Sequence, residues 1–480
     1  MVADLSARAW SGTFRWRTRE HRSQTFLPLA VAAAGVPLLG YFAASPSPRA
    51  LLWLGVFGAF CIAAALAMPP HVFLPAMVIV AGVSTAFKGS VVSFGAAALY
   101  VSDFVVLLVV LRGALPRPRH EGRHLLAGAP QTLFVLLLFV LALAAVRGLL
   151  AGVPNASVVR GDLALFYWPL LYFGVTRILA ERSLVTSLLW RNLALVAVGF
   201  AAYMFLARGF NHTFQDPGLA NVPVGPGETV PRNFGFASAF TVYPVLAVVA
   251  VAGMANDRAH RLRWTLLASI GLIATLTTLV RGEVFSLLLG ILIVLALSPR
   301  RGLAAGRSRT MVQLAVASGA ALLAVLALDP RLGHAVIQRT VPFTQQASEA
   351  TANADYRFEA MGAGLRVARA HPAGLGVLDE QALLNHDLDP GYLVHSGFAT
   401  ILIFGGWLAL GVAICLLLAV LHRSFHVPAS PGWIHPAFVG AMVTLSVYSF
   451  GAAGLVGDTW VIPLGVLVVA LRFGIPSESR

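Results

Sequence analysis

One long polar interval interrupts the second half of an otherwise apolar sequence. It runs from Asp329 to His395, after an apolar run that ends at Leu328 and before another that begins beyond Ser396. Ionisable side chains gathered within so apolar a chain are typical of a site that handles a charged or polar ligand. The ionisable residues of this interval include Arg331, Arg339, Asp355, Arg357, Glu359, Arg366, Arg369, His371, Asp379, Glu380, His386 and His395.

Two of these residue types suit the binding of an anionic group and the transfer of a proton. A guanidinium binds phosphate oxygens in a bidentate fashion and stays charged, and an imidazole exchanges a proton near neutral pH. Arg281, in a short turn between two apolar runs, and His395 are the candidates for these roles. No carboxylate pair with the pattern of a glycosidase and no cluster that demands a metal ion are evident, so neither a metal nor another cofactor is expected. Cys61 and Cys415 both lie in apolar runs, which argues against a disulfide framework.

Each candidate also has a structural interpretation. Arg281 could anchor a helix end at the membrane interface or pair with Glu283 along the same helix. His395 could be a helix cap or an interface residue. Ser396 is predicted to be the N-cap of the next helix, not a nucleophile.

Three further arginines are candidates for binding a substrate phosphate. Arg357 could instead pair with Asp355 or Glu359 on a solvated helix face, and Arg160 and Arg232 stand near predicted helix starts.

Two polar motifs receive structural interpretations. Asp103 lies in an apolar run, where a carboxylate is costly and faces inward, and we expect it to bond to another helix. His371-Pro372, followed by Gly374 and Gly376, predicts a helix end and a turn.

The composition excludes a soluble globular domain. Of 480 residues, 58% are hydrophobic and 11% charged, and the mean hydropathy is +0.80. The net charge of +14 does not indicate nucleic acid, because most of the excess arginine lies in short loops between apolar runs.

The apolar runs predict an all-α, polytopic membrane protein with about 12–14 transmembrane helices. Residues 1–25 form a cytoplasmic arm, and residues 26–473 form the membrane domain, with outer loops at 207–233 and 329–395. An amphipathic helix is expected over Asn353–Ala370, with Phe358, Met361, Leu365 and Ala368 on its apolar face. The apolar runs are Phe26–Ala44, Leu51–Met68, His71–Phe87, Val92–Leu111, Gln131–Leu149, Asp162–Leu179, Leu184–Phe205, Phe236–Ala255, Trp264–Val280, Glu283–Leu297, Met311–Leu328, Gly397–Leu421, Ile434–Phe450 and Leu455–Leu471.

The positive-inside rule orients these helices. With the N-terminus inside, every strongly basic short loop falls on the same side. Both termini are then cytoplasmic, whereas Arg281 and the interval 329–395 lie on the outer face of the membrane.

Several short motifs, taken in order, resemble the bacterial O-antigen ligase and O-antigen polymerase superfamily. They are Thr277–Gly282, then Arg357, the His371-Pro372-x-Gly-x-Gly turn, and His395-Ser396 before a helix with Gly405-Gly406. The earlier stretches Val101–Asp103 and Val159–Asp162 fit the same order, and the resemblance covers roughly Val92–Leu421. The chain departs from the family pattern at Val280, Glu283 and Ala409.

The resemblance implies a GT-C-like membrane glycosyltransferase that moves a glycan from an undecaprenyl pyrophosphate carrier to an acceptor hydroxyl. It implies that Arg281 and His395 are catalytic and that Arg357, Arg232 and Arg160 bind the donor. The partners would be the lipid-linked donor, a glycan or lipid-linked acceptor and the bilayer, with no nucleic acid. Ligase and polymerase remain open, and the alternative is a transporter or flippase of lipid-linked glycans.

Overall fold

The computed structural model describes most of the chain between Ile62 and Gly451. The described residues are 62–84, 92–94, 97–99, 101–115, 129–151, 156–179, 221–225, 228–231, 242–257, 259–278, 280–298, 303–328, 330–340, 347–376, 396–426 and 433–451, with the single positions 188, 189, 191, 384 and 468.

The contacts between Cα atoms divide the chain into two units, Met1–Phe73 and Leu74–Arg480. In the first unit, the structure describes residues 62–73. The elements discussed below, apart from the start of the first helix, belong to the second unit.

The described residues are predominantly helical, in agreement with the predicted all-α fold class. The exceptions are two short antiparallel hairpins: β1 (Val92–Phe94) with β2 (Ala97–Leu99), and β3 (Asn221–Gly225) with β4 (Glu228–Pro231). The helices are α1 (Pro70–Ser84), α2 (Val101–Ala114), α3 (Ala129–Leu150), α4 (Ala156–Ile178), α5 (Val242–Asn256), α6 (Arg261–Thr277), α7 (Arg281–Leu297), α8 (Leu303–Leu328), α9 (Pro330–Thr340), α10 (Ala347–Ala370), α11 (Gly397–His426) and α12 (Ile434–Gly451).

Helix α5 is the centre of one group of helices. Every residue from Val242 to Met254 is buried, and α5 packs against α6, α7 and α12. A helix that is apolar on all sides is stable only when it is enclosed in this way.

Glycines allow the helices of this group to approach closely. A Cβ atom on Gly290 of α7 would lie 3.2 Å from the carbonyl oxygen of Gly440 on α12, and a Cβ on Gly440 would lie 3.2 Å from the carbonyl oxygen of Gly290. A Cβ on Gly271 of α6 would lie 2.9 Å from the Cβ of Ala247 on α5. These contacts leave no room for larger side chains at the crossing points.

Aromatic and polar side chains close one end of the same group. The ring of the fully buried Trp264 lies 4.9 Å from that of Trp433, and its indole N–H donates to Asp257 at 3.0 Å. The side-chain amide of Asn256 donates to the Ser298 hydroxyl at 3.1 Å. The end of α5, the start of α6, the end of α7 and the start of α12 therefore meet here.

Helices α3, α10 and α11 form a second group. Helix α11 packs against α3 and α10 and also contacts α12. The buried core between α3, α4 and α11 consists of Val140, Leu141, Ala144, Leu165, Ile401, Phe404 and Ala409.

Two of the described helices, Thr132–Leu150 and Gly397–His422, are long and apolar enough to cross a membrane. Helix α3 exposes Val135, Phe139, Leu143 and Val146, which recur at helical spacing. Helix α11 exposes Trp407, Leu408 and Leu418. Apolar stripes of this size mark a surface that meets a membrane or another protein.

Some predicted elements differ from those observed. The run Val92–Leu111 contains the hairpin β1–β2 and a helix that begins only at Val101, because a short apolar run does not distinguish strand from helix. The outer loop at 207–233, predicted to be irregular, contains the hairpin β3–β4. The arm 1–25 and the runs Phe26–Ala44 and Leu455–Leu471 lie outside the described residues, apart from position 468.

We expect Gly440→Ala to lower the free energy of unfolding by about 1–3 kcal/mol, because its methyl group would overpack the contact between α7 and α12. Gly319→Ala is the matched control, since a Cβ at Gly319 of α8 meets nothing within 4 Å. It should leave stability unchanged or raise it by up to about 1 kcal/mol. Thermal unfolding of both purified variants in detergent measures the difference, and equal midpoints would contradict the packing described.

Candidate functional site

Hydrogen bonds from threonine side chains stabilise the turn between α6 and α7. The hydroxyls of Thr275, Thr277 and Thr278 donate to the carbonyl oxygens of Gly271, Ala274 and Thr275 at 2.8, 2.9 and 2.7 Å. Such bonds back to the preceding turn compete with continued helix formation. The chain then extends at Val280 (φ −102°, ψ 107°) and re-enters a helix at Arg281.

Glu283 joins the two helices at this turn. Its side chain is fully buried, and its Oε2 atom lies 2.9 Å from the hydroxyl oxygen of Thr278, within hydrogen-bond distance. The carboxylate lies in the first turn of α7, where the helix dipole favours a negative charge. The sequence had left the role of Glu283 open, and the structure shows it holding the end of α6 to the start of α7.

Arg281 differs from Glu283 in its surroundings. It is the first residue of α7 and its side chain is exposed. The two predicted structural alternatives for Arg281, a pair with Glu283 and an interfacial anchor, both stay open.

A second feature lies where α10 ends. The helix stops at Ala370, and the amide N–H groups of His371 and Gly374 donate to the carbonyl oxygens of Val367 and His371 at 2.6 and 2.7 Å. Gly374 (φ 79°) and Gly376 (φ 78°) adopt left-handed conformations, which favour glycine. The predicted helix end and turn are confirmed. Residues 371–376 are called the glycine turn below.

The glycine turn fills a break in α11. Gly406 has non-helical angles (φ 69°, ψ −163°) in the middle of this apolar helix. The N–H groups of Leu375 and Gly376 donate to the carbonyl oxygens of Ile403 and Phe404 at 2.7 and 2.9 Å, and the N–H of Trp407 donates to Pro372 at 3.0 Å. The backbone groups that a break would leave without helical partners therefore bond to the turn.

Arg147 of α3 holds the glycine turn from the other side. Its Nη2 atom donates to the carbonyl oxygens of Ala373 and Gly374 at 2.8 and 2.6 Å. The sequence analysis missed this residue. The available signal was a cation at the end of an apolar helix. The positive-inside rule predicts this end to lie on the outer face, where cations are not favoured.

The start of α11 is capped as predicted. The Oγ atom of Ser396 accepts the N–H of Ala399 at 3.2 Å, and the Ser396 carbonyl oxygen accepts from the Thr400 hydroxyl at 2.9 Å. This confirms Ser396 as the N-cap. His395, which precedes it in the sequence, lies outside the described residues.

The buried face of α10 matches the predicted one only in part. Of the predicted residues, Ala368 is fully buried, whereas Phe358 is 69% exposed. Ala360 and Ala363, which were not on the predicted face, are also fully buried. A Cβ on Gly364 would lie 3.4 Å from the Cβ of Ala399 on α11, so small residues line the contact between α10 and α11.

The remaining candidate arginines are located only in part. Arg357 belongs to α10, seven residues before Gly364, and Arg160 belongs to the start of α4; the side chains of both lie outside the described part of the chain. Arg232, which follows β4, also lies outside the described residues. Of the five predicted site residues, Arg281 is the one whose side chain lies within the described part of the chain.

Asp103 has the structural role that the sequence analysis favoured. Its Oδ1 atom accepts a hydrogen bond from the hydroxyl of Tyr167, which joins α2 to α4. A Cβ on Gly113 would lie 2.9 Å from the carbonyl oxygen of Gly174, so the same two helices also approach closely there. A hydrogen-bonded carboxylate between two apolar helices matches the expected helix-to-helix bond.

Comparison with known proteins gives no independent identification. No protein-family model matches the chain, and a search of curated proteins finds no relative.

We expect Gly374→Ala to destabilise the break in α11. Alanine at φ 79° is strained by about 1–3 kcal/mol, and its Cβ would also collide with the carbonyl oxygen of Phe404. Gly362→Ala on the neighbouring helix is the control, because its Cβ would meet only Arg366 Nη1 at an ordinary 3.7 Å. Hydrogen exchange at the Trp407 amide should accelerate in Gly374→Ala alone, and equal rates in the two variants would contradict the described contact.

Ser396→Ala should lower the free energy of unfolding by about 1 kcal/mol, because the N–H of Ala399 loses its acceptor. Ser396→Gly should cause a loss of only a few tenths of a kcal/mol, since glycine is a better N-cap than alanine. Chemical unfolding of the purified protein measures both. A larger loss for glycine than for alanine would be inconsistent with a capping role.

Proposed function

We propose that the chain is an integral membrane glycosyltransferase of the inner membrane that moves a glycan from an undecaprenyl pyrophosphate carrier to an acceptor hydroxyl, as O-antigen ligases and polymerases do. The single observation that carries the proposal is the exposed guanidinium of Arg281, which stands at the head of α7 while its neighbour Glu283 is held inside the bundle.

The head of α7 suits the donor phosphate for two reasons. The helix dipole favours an anion at a helix N-terminus. A guanidinium adds charge-assisted, bidentate hydrogen bonds to phosphate oxygens. In the proposed reaction Arg281 stabilises the pyrophosphate as it leaves.

The acceptor half of the site would be formed by α10 and α11. Ser396 begins α11, and Gly364 of α10 packs against Ala399 one turn later. His395 directly precedes Ser396, and Arg357 comes about two turns before Gly364. Both candidates therefore precede, in the sequence, the residues that join α10 to α11. This supports a role for His395 in activating the acceptor and for Arg357 in binding the donor. Arg232 and Arg160 remain further candidates for donor binding.

The proposed step is a direct displacement. The acceptor oxygen forms a bond to the anomeric carbon, and the bond from that carbon to the pyrophosphate oxygen breaks, with the electron pair leaving on the pyrophosphate. The acceptor proton passes to the His395 imidazole, which acts as general base. Attack opposite the leaving group inverts the anomeric configuration.

Contacts between distant segments support the proposed orientation in the membrane. Helix α9 contacts the hairpin β3–β4, and both come from loops predicted on the outer face. The Trp264–Trp433 and Asn256–Ser298 contacts join segments predicted at the inner face. In neither set of contacts does a segment predicted on the outer face touch a segment predicted on the inner face.

One observation favours the alternative of a transporter or flippase. Helix α11 is broken at Gly406, and broken helices are common at the substrate sites of carriers. Here the backbone groups at the break bond to the glycine turn, whereas a carrier would leave such groups for an ion or a substrate. Donor turnover by the purified protein in detergent, where no second compartment exists, separates an enzyme from a carrier.

We expect Arg281→Ala and His395→Ala to insert normally and to lose at least about 100-fold in glycan transfer from a lipid-linked donor in proteoliposomes. Arg263→Gln, at the opposite end of the α6–α7 pair, controls for loss of a charge on these helices. His371→Ala controls for loss of an imidazole, because the side chain of His371 is exposed in the same polar interval. Normal transfer by both alanine variants would refute this mechanism.

Ligase and polymerase activities predict different losses in a deletion strain. Loss of the ligase leaves polymerised glycan on its lipid carrier, whereas loss of the polymerase leaves single repeat units attached to the acceptor. Mass analysis of surface glycans distinguishes the two.

A further inference from the structure

A continuous set of hydrogen bonds runs from α3 through the glycine turn to the break in α11. The peptide group between Gly374 and Leu375 is bonded at both ends: its carbonyl oxygen accepts from Arg147 at 2.6 Å, and its N–H donates to Ile403 at 2.7 Å. The preceding peptide group accepts from Arg147 through Ala373 and donates through the Gly374 N–H to His371. A cationic donor polarises these peptides and strengthens the bonds on their far side.

The break in α11 has little freedom to adjust. A Cβ on Gly376 would collide with the carbonyl oxygen of Ala144 on α3, and one on Gly406 would collide with the carbonyl oxygen of Pro372. The indole N–H of Trp407 also donates to the carbonyl oxygen of Ala368 at 3.0 Å. Backbone therefore lies against backbone on both sides of the turn, with Arg147 beside it.

We propose that Arg147 is a positioning residue for the acceptor half of the site. Arg147 fixes the glycine turn, and the glycine turn fixes the position of the break at Gly406. The break in turn fixes the position of the short first segment of α11, Gly397–Phe404. Ser396 caps this segment, and His395 precedes it in the sequence. This inference rests on the proposed function for its catalytic part. Its structural part, the dependence of the break on Arg147, stands on the hydrogen bonds alone.

The position of Arg147 makes the proposed effect selective. Arg281 lies on α7, which packs with α5 and α12, and none of the hydrogen bonds described above reaches it. Loss of Arg147 should therefore reduce acceptor activation and leave the contact between Arg281 and the donor intact. In kinetic terms, the fall in kcat should exceed any rise in the KM for the lipid-linked donor.

The test uses the full-length protein in proteoliposomes with a lipid-linked glycan donor. Arg147→Gln should lower kcat by about 10- to 100-fold, the effect expected when a reacting group is displaced by about 1 Å. Arg147→Lys should recover part of this loss, because an ammonium keeps the charge and can donate to a carbonyl oxygen. Arg369→Gln is the matched control, since Arg369 is exposed near the same end of α10 and should retain the wild-type kcat.

A double variant separates positioning from general damage. If Arg147 acts through His395, Arg147→Gln combined with His395→Ala should be no slower than His395→Ala alone, within about twofold. The acidic limb of the pH–rate profile, which reports the imidazole, should also flatten in Arg147→Gln. Additive losses in the double variant, or an unchanged pH profile, would overturn the catalytic part of the proposal.

Hydrogen exchange tests the structural part without any substrate. The amides of Leu375, Gly376 and Trp407 should exchange faster in Arg147→Gln than in the wild type or in Arg369→Gln. Unchanged exchange would overturn the proposal entirely. Faster exchange together with no transfer by the wild-type protein would retain the role of Arg147 at the break while refuting the proposed function and the catalytic part.

Discussion

The main-chain polar groups at the break in α11 are the constraint on which the second helix group depends. A helix that stops and restarts within an apolar stretch exposes carbonyl and N–H groups, and each costs several kcal/mol if it is left unbonded away from water. The glycine turn bonds to these groups at Ile403, Phe404 and Trp407. It fits because glycines at 374, 376 and 406 allow three backbones to meet without Cβ atoms between them. Helices α3, α10 and α11 are thus joined by main-chain bonds as well as by packed side chains.

Within the residues that the structure describes, the first helix group has no break that would expose main-chain polar groups. Its helices are continuous, and close approach at Gly290, Gly440 and Gly271 comes from missing side chains. Polar groups are found at its ends, where Thr278 and Glu283 close the α6–α7 turn and Trp264 and Asp257 close the opposite end. The first group, which carries Arg281, therefore lies beside the second group, whose geometry depends on Arg147 and the glycine turn. The proposed donor and acceptor halves belong to these two groups.

The sequence predicted those features that follow from local rules. The all-helical class, the cap at Ser396 and the end of α10 before Pro372 each depend on a few neighbouring residues. The structural role of Asp103 followed from the cost of a carboxylate in an apolar helix. The break at Gly406 could not be predicted in this way, since a glycine pair in an apolar run is equally compatible with an unbroken helix. It depends on partners that lie 30 residues or more away in the sequence, at Leu375 and Arg147. The buried face of α10 was predicted only in part for the same reason: Ala368 is buried as expected, whereas Phe358 is exposed.

The arrangement of the break also bears on how the chain is synthesised. Arg147 and residues 371–376 both precede Gly406 in the sequence. Each leaves the ribosome before α11 does, so every acceptor and donor needed at the break already exists when Phe404 and Trp407 emerge. The hydrogen bonds at the break in α11 therefore need no residue that is synthesised later, and helix α12 is not among their partners.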